Sequence, residues 1–256
     1  FKQLIVFELA NNHCGEFAHG LRIIEALHAI SKPFPFRFAV KFQYRDLDHF
    51  IHPDWQKRSD SKYVKRFQET RLSDEDFIRL KNEAVKLGFL TMCTPFDEVS
   101  VDKIQKQNFD FLKIASCSFT DWPLLEAAVK TELPMILSTA GAALDDIDRV
   151  VTFLQHREKS FCLMHCIGSY PTPDCDLALD QIDFFRGRYP GLPVGFSTHE
   201  NPDATLPAML AVAKGAQVLE RHVGFADASH SLNAYSSTPE QLSDWLKAIQ
   251  QAQVLC

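Results

Sequence analysis

Two lysines, Lys41 and Lys113, interrupt the otherwise apolar runs "AVKFQ" and "FLKIAS", and two histidines, His199 and His222, fall near the ends of "PVGFSTH" and "QVLERHV". A cation inside an apolar run is costly unless it meets a counter-charge or a ligand. Thr94, Ser116, Ser138 and Ser197 also stand at the ends of apolar runs. With their hydroxyls, the lysines form a set of cations and donors suited to a phosphate or a carboxylate. The simpler alternative is that each lysine lays its stem along apolar surface and takes its ammonium to solvent. Neutral imidazoles at His199 and His222, with the Glu8 carboxylate close by, could bind one divalent metal and leave positions open for substrate. Their alternative is a pair of hydrogen-bonded core histidines.

These residues can act together only if the fold gathers them. Short runs rich in β-branched and aromatic residues recur at 4–9, 36–43, 89–95, 111–116, 134–139, 161–166, 193–199 and 217–223. Between them lie segments of helical period, such as "FAHGLRIIEALHAI", "SDEDFIRLKNEAVKLG" with Ser73 as N-cap and Gly88 as stop, and "TPEQLSDWLKAIQQAQ". Strands apolar on both faces, alternating with helices, signal a parallel sheet covered by helices, and eight repeats predict a closed (β/α)8 TIM barrel spanning residues 1–256 as a single domain.

In such a barrel the strands' C-terminal ends carry the chemistry. Those ends hold Glu8, Lys41 with Gln43, Thr94, Lys113 with Ser116, Ser138 with Thr139, His165, Ser197 with His199, and Glu220 with His222. The polar stretch 44–72 follows the second strand and is expected to overlie this face as a lid or substrate wall.

The formal net charge of −6 provides no basic field for nucleic acid or an anionic membrane, so a bound anion must rely on a few local cations. No apolar stretch has the length of a membrane span, and no secretion signal is visible, which predicts a cytoplasmic protein. Seven cysteines, an odd number without a CxxC pair, read as reduced thiols. The chain opens on Phe1 and ends at Cys256 just after a helical pattern, as a fragment of something longer would.

The motifs "ELANNHCGEFAHGLRIIEAL", "AVKFQ", "TPFDEVSVDKI", "FLKIAS", "PLLEAAVKTELPMILSTA", "HCIGSYPTP", "GLPVGFSTHE" and "GAQVLERHV" resemble, in order and spacing, the sialic acid synthases of the NeuB type. That group includes the pseudaminic and legionaminic acid synthases, and the resemblance covers residues 4–223. It implies a barrel that condenses phosphoenolpyruvate with an aldose or an N-acetylated aminosugar and releases phosphate. It further implies that Lys41, Thr94, Lys113, Ser116, Ser138 and Ser197 hold phosphoenolpyruvate. By the same resemblance, His199 and His222 bind Mn2+, or Mg2+ or Co2+ in its place, and Glu8, Gln43 and Tyr170 face the sugar, with Glu8 handling protons.

The departures from the family pattern fall largely on the sugar side. Ser118, Thr198 and Asn233 occupy positions where the family carries acids, and Asn233 stands where the substrate-binding acid belongs. Gly168 replaces a polar residue, Glu200 follows the metal-site histidine, and Cys14 replaces an Asn. Lost acids imply an altered acceptor. The family's C-terminal antifreeze-like domain, which completes a dimer, has no counterpart in the sequence, so the expected assembly is a homodimer or a longer chain. Two other functions stay open: a Schiff-base aldolase using Lys41 or Lys113, and a non-catalytic barrel that binds a sugar or phosphoenolpyruvate.

Overall fold

A computed structural model describes residues 1–56, 58 and 60–256. In chain order its elements are β1 (Leu4–Glu8), α1 (Phe17–Ser31), β2 (Arg37–Tyr44), α2 (Leu47–Phe50), α3 (Lys62–Glu69), α4 (Asp74–Lys86), β3 (Leu90–Pro95), α5 (Glu98–Lys106), β4 (Phe111–Ile114) and α6 (Trp122–Val129). There follow β5 (Met135–Ser138), α7 (Leu144–Gln155), β6 (Phe161–Cys166), α8 (Asp180–Arg188), β7 (Val194–Thr198), α9 (Leu206–Ala213), β8 (Val218–His222) and α10 (Pro239–Leu255). The eight strands are parallel and pair in sequence order, and β8 closes on β1. This is the barrel that the repeats predict.

Each strand is apolar on both faces because each face is buried differently. Leu4, Val6, Ala39, Met92, Phe111, Ile136, Cys162, Met164 and Val218 fill the barrel interior. Ile5, Phe7, Val40, Phe42, Cys93, Leu112, Leu137 and Leu163 pack in the larger cluster beneath the helices. Gly195 is the inward residue where three strands crowd. A Cβ there would lie 2.3 Å from Met164 Sδ and 2.6 Å from the Val218 carbonyl oxygen, so a larger residue would push the strands apart.

The two-residue period then determines which polar residues enter the mouth. Stepping up two residues from the inner apolar layer reaches Glu8, Lys41 and then Gln43, Thr94, Lys113, Ser138, Ser197 and then His199, and Glu220 and then His222. Register brings Glu8 beside both Lys41 and His222, Gln43 beside Thr94, and Ser197 beside Glu220.

The same parity corrects the polar ring read from strand ends. His165 faces outward, its Nε2 2.8 Å from the Leu177 carbonyl oxygen and its ring stacked on Phe196; Cys166 takes the inward position instead. Arg221 also faces outward. Its guanidinium donates to Ser237 Oγ, to Glu200 Oε1 and to the carbonyls of Ala204 and Asn201, and it lies over the Trp245 ring.

Helix ends follow local chemistry. Ser73 Oγ accepts the Asp76 amide at 3.1 Å to start α4, and Gly88, at φ +86°, ends it. A reciprocal Thr238–Gln241 capping box starts α10. The 44–72 segment forms α2, a single 3-10 turn at Pro53–Trp55 and α3. The β8–α10 loop is tied to the β1–α1 loop by Asn12 Nδ2, which donates to the Val223 carbonyl and to Ser236 Oγ. Among the described residues no helix is long and apolar enough to cross a membrane.

Candidate active site

At the centre of the barrel mouth lies Glu220, a residue whose role is not evident in the sequence. Its Oε1 accepts from Lys41 Nζ at 2.6 Å and from Ser197 Oγ at 3.2 Å, and its Oε2 accepts from Lys113 Nζ at 2.9 Å. Lys41 also forms an ion pair with Glu8. All four charged side chains are at least 95% buried. The sequence suggests two cations awaiting an anion or reaching for water; the structure instead gives two cations and two carboxylates, which balance.

This balance shows in the acid–base properties of the groups. Burial lowers Lys41 to about 8, against the opposing pull of Glu220 and with help from Lys113. Burial alone would raise Glu220, yet Lys113 and Lys41 together hold it well below the ordinary carboxylate range. Glu220 is therefore a firmly ionised clamp that keeps both ammoniums aimed at the same point.

His199 and His222 stand beside this cluster, their ring centroids 5.2 Å apart and their planes at 51°. Burial lowers His199 to about 4. Burial, then His199 and Lys41, holds His222 well below its ordinary value. Both rings are thus neutral near pH 7 and have lone pairs to give. His199 Nδ1 lies 3.2 Å from the Ile167 carbonyl and 3.9 Å from Cys166 Sγ. His222 Nδ1 is buried with no partner. A buried nitrogen without a partner is unfavourable in a finished core. Two neutral imidazoles with the Glu8 carboxylate close by form a nitrogen–oxygen donor set for a divalent cation, so the residues fit the class of metal that the sequence resemblance implies.

The remaining predicted residues surround these groups with unequal freedom. Thr94 Oγ1 is buried and unpartnered, available to a ligand. Ser138 is buried at the C-terminal end of β5. Ser116 lies in the turn after β4, where its hydroxyl already accepts the Ala140 amide at 3.1 Å. Gln43 Nε2 donates to Glu8 Oε1 at 3.3 Å, while the Ala10 amide holds the same oxygen at 2.7 Å. Tyr170 rests against His199, with centroids 4.3 Å apart. Asn233 lies in the β8–α10 loop and donates to Asn12 Oδ1. All twelve predicted site residues are therefore on the C-terminal face of the barrel or in the loops that border it.

Glu220 stood among the strand-end residues without a role, and two contributors, Cys166 and Tyr235, were missed. Counting back two residues from His222 identifies Glu220, and counting inward from Cys162 and Met164 identifies Cys166. Tyr235, whose ring is 5.1 Å from His222 and 5.2 Å from Tyr170, comes from an irregular loop and left no periodic signal.

The NeuB family model matches residues 38–256. The structure superposes on a protein of Chromobacterium violaceum, provisionally named spore coat polysaccharide biosynthesis protein E, with a TM-score of 0.97 and 49% identity, covering 99% of this chain and 76% of that one. It superposes on the N-acetylneuraminic acid synthetase of Leptospira borgpetersenii, solved with citrate, with a TM-score of 0.86 and 26% identity over 100% of this chain and 85% of that one. The N-acetylneuraminate-9-phosphate synthase of Drosophila melanogaster is 30% identical across 85% of this chain, which spans 59% of that protein's length.

Proposed function

This chain belongs to the NeuB family, and on that premise we propose that it condenses phosphoenolpyruvate with an aldose or N-acetylated aminosugar, giving a 2-keto-3-deoxy sugar acid and phosphate. The observation that carries this reading is the shared mouth. A paired-lysine cluster held by Glu220 and Glu8 and two neutral, buried histidines open on the same barrel end. A simple sugar-binding barrel needs neither.

In this reading the phosphate and carboxylate of phosphoenolpyruvate take over Lys41 and Lys113, with Thr94, Ser138 and Ser197 as hydroxyl donors and Ser116 at the edge. Glu220 holds the ammoniums oriented before substrate arrives, so little reorganisation is needed when the anion binds. His199 and His222 would hold a divalent metal, Mn2+ or in its place Mg2+ or Co2+, which would supply Lewis-acid polarisation of the aldehyde. The phosphoenolpyruvate methylene carbon attacks the aldehyde carbon, water adds at the carbon bearing the phosphate ester, and phosphate leaves. Glu8, whose Oε1 accepts from the Ala10 amide and Gln43, moves the protons of that water and of the new hydroxyl in this reading. Gln43, Tyr170 and Asn233 face the sugar.

The test is phosphate release from phosphoenolpyruvate with a panel of aldoses and N-acetylated mannosamine-type sugars, with Mn2+ and with a chelator. Release that requires both the metal and one sugar supports the reading. Release unaffected by chelation, with covalent trapping by borohydride, would replace it with a Schiff-base aldolase on Lys41 or Lys113. Binding of phosphoenolpyruvate without release for any sugar would make the barrel a binding module.

A further inference from the structure

β7 ends at Thr198 and β8 at His222, and the register that joins them closes with Thr198 beside Arg221. His199 lies one residue beyond that last pair, so the ladder alone does not fix its distance from His222. On the inner face the link between the two strands, Ser197 to Glu220, is one layer further down. The contact at the level of the histidines is on the outer face. Glu200 follows His199 and Arg221 precedes His222, and the two side chains meet behind the strands, with Arg221 Nη1 3.2 Å from Glu200 Oε1 and exposures of only 1% and 0%.

Arg221 is held from both strands. Its Nη1 and Nη2 donate to the carbonyls of Ala204 and Asn201, in the loop that continues from Glu200, at 3.1 and 3.0 Å. Its Nε donates to Ser237 Oγ at 2.8 Å, and the Ser237 amide donates to the His222 carbonyl at 2.9 Å. An unbroken path therefore runs from His199 through Glu200, Arg221 and Ser237 to His222. Glu200 Oε2 has no partner, so among the described residues Arg221 is the one side chain that anchors this carboxylate. A buried ion pair adds little net stability over well-packed apolar residues. Its planar fork, however, admits few geometries, and metal ligands need supporting contacts that hold them to within about 0.5 Å.

We propose that Glu200 and Arg221 are positioning residues, whose ion pair sets the separation of His199 and His222 from the outer face of the barrel and so preorganises the divalent-metal site. The inference rests on the metal site of the synthase reading above and adds the residues that act through its ligands.

The experiment is separate from turnover. Mn2+ alone is titrated calorimetrically into the metal-stripped full chain, and the stability of each variant is measured by denaturation without metal. Glu200→Gln should weaken Mn2+ binding at least about ten-fold. Adding Thr198→Asp should recover part of that loss, because position 198 is in register with Arg221 and faces the same side. Glu200→Asp keeps the charge and shortens the reach, so it should show a smaller loss and serves where Glu200→Gln does not fold. Phe196→Leu thins the packing lower on the same face of β7, and should lower stability while leaving Mn2+ affinity unchanged. Unchanged Mn2+ affinity in both Glu200 variants overturns the proposal, as does an equal loss of affinity in Phe196→Leu, and either result leaves the metal site standing. An unaltered chain that binds no Mn2+, or one that binds it equally after His222→Ala, overturns the metal site and the proposal together.

Discussion

The barrel carries two histidine pairs set among carboxylates and a cation, and their contrast separates a site from a fastening. At the mouth, His199 and His222 are buried, tilted at 51° and depressed in pKa, and one ring nitrogen has no partner. At the rim, His19 and His230 stack face to face at 3.8 Å, and both ring nitrogens of His230 face carboxylates. His230 Nδ1 lies 2.8 Å from Asp227 Oδ1 and its Nε2 3.4 Å from Glu16 Oε2, while Arg22 Nη2 is shared between His19 Nδ1 and Asp227 Oδ2. His19 and His230, with Asp227, come close enough to suggest a metal cluster. The Arg22 guanidinium, however, already occupies the space between His19 and Asp227. Proximity of ligand types is thus a poor sign of a metal site; unsatisfied neutral donors are a better one. The rim set ties α1 to the β8–α10 loop, which carries Asn233 and Tyr235.

The largest expected effect tests that distinction directly. His222→Ala should remove Mn2+-dependent thermal stabilisation and lower phosphate release by at least about 100-fold, beyond the usual loss from removing an outer partner of a ligand. His230→Ala should leave Mn2+ stabilisation unchanged. If the rim variant loses the metal response and the mouth variant keeps it, the assignment is reversed.

Next in size is the central carboxylate. Glu220→Gln leaves two buried ammoniums short of one counter-charge, and chemical denaturation should show a loss of about 3–5 kcal/mol. Replacing Asp227 by Asn on the half-exposed rim should cost far less, because its Arg22 partner is 49% exposed and water takes over. Equal losses at the two positions would mean that burial does not separate the networks.

How much of this could be read in the sequence follows from periodicity. Strand ends were legible because eight apolar runs repeat, and the chemistry of Lys41, Lys113, His199 and His222 stood out against them. Facing was less legible. His165 appeared to belong to the polar ring because strand ends alone do not reveal parity, although the apolar residues Cys162 and Met164 on the same strand mark Cys166 as the inward one. Glu220 was visible as a charge but not as a clamp, since its partners lie 107 and 179 residues away. The surroundings of Arg45 were not legible at all. Gln43 comes from β2, Phe67 from α3 in the polar connection and Phe96 from just after β3, and only the three-dimensional path of the chain brings them together.

The smallest effect expected is a pH dependence confined to the rim. Hydrogen bonding to Asp227, opposed by burial and reinforced by Glu16, raises His230 above its ordinary value, while burial, His230 and Arg22 lower His19. Arg22, Glu16 and Asp227 are the other charges facing the pair. A group whose folded-state pKa lies above its unfolded value, about 6.5 for His, contributes stability that is fully present below that unfolded value. The contribution disappears as pH rises through the folded-state value. The difference in Tm between the unaltered chain and His230→Gln should therefore be largest near about pH 6 and shrink steadily toward alkaline pH. Differential scanning calorimetry across that range checks it. A difference that grows with pH would mean that His230 is neutral in the folded protein, and the rim would then have a nitrogen to give to a metal after all.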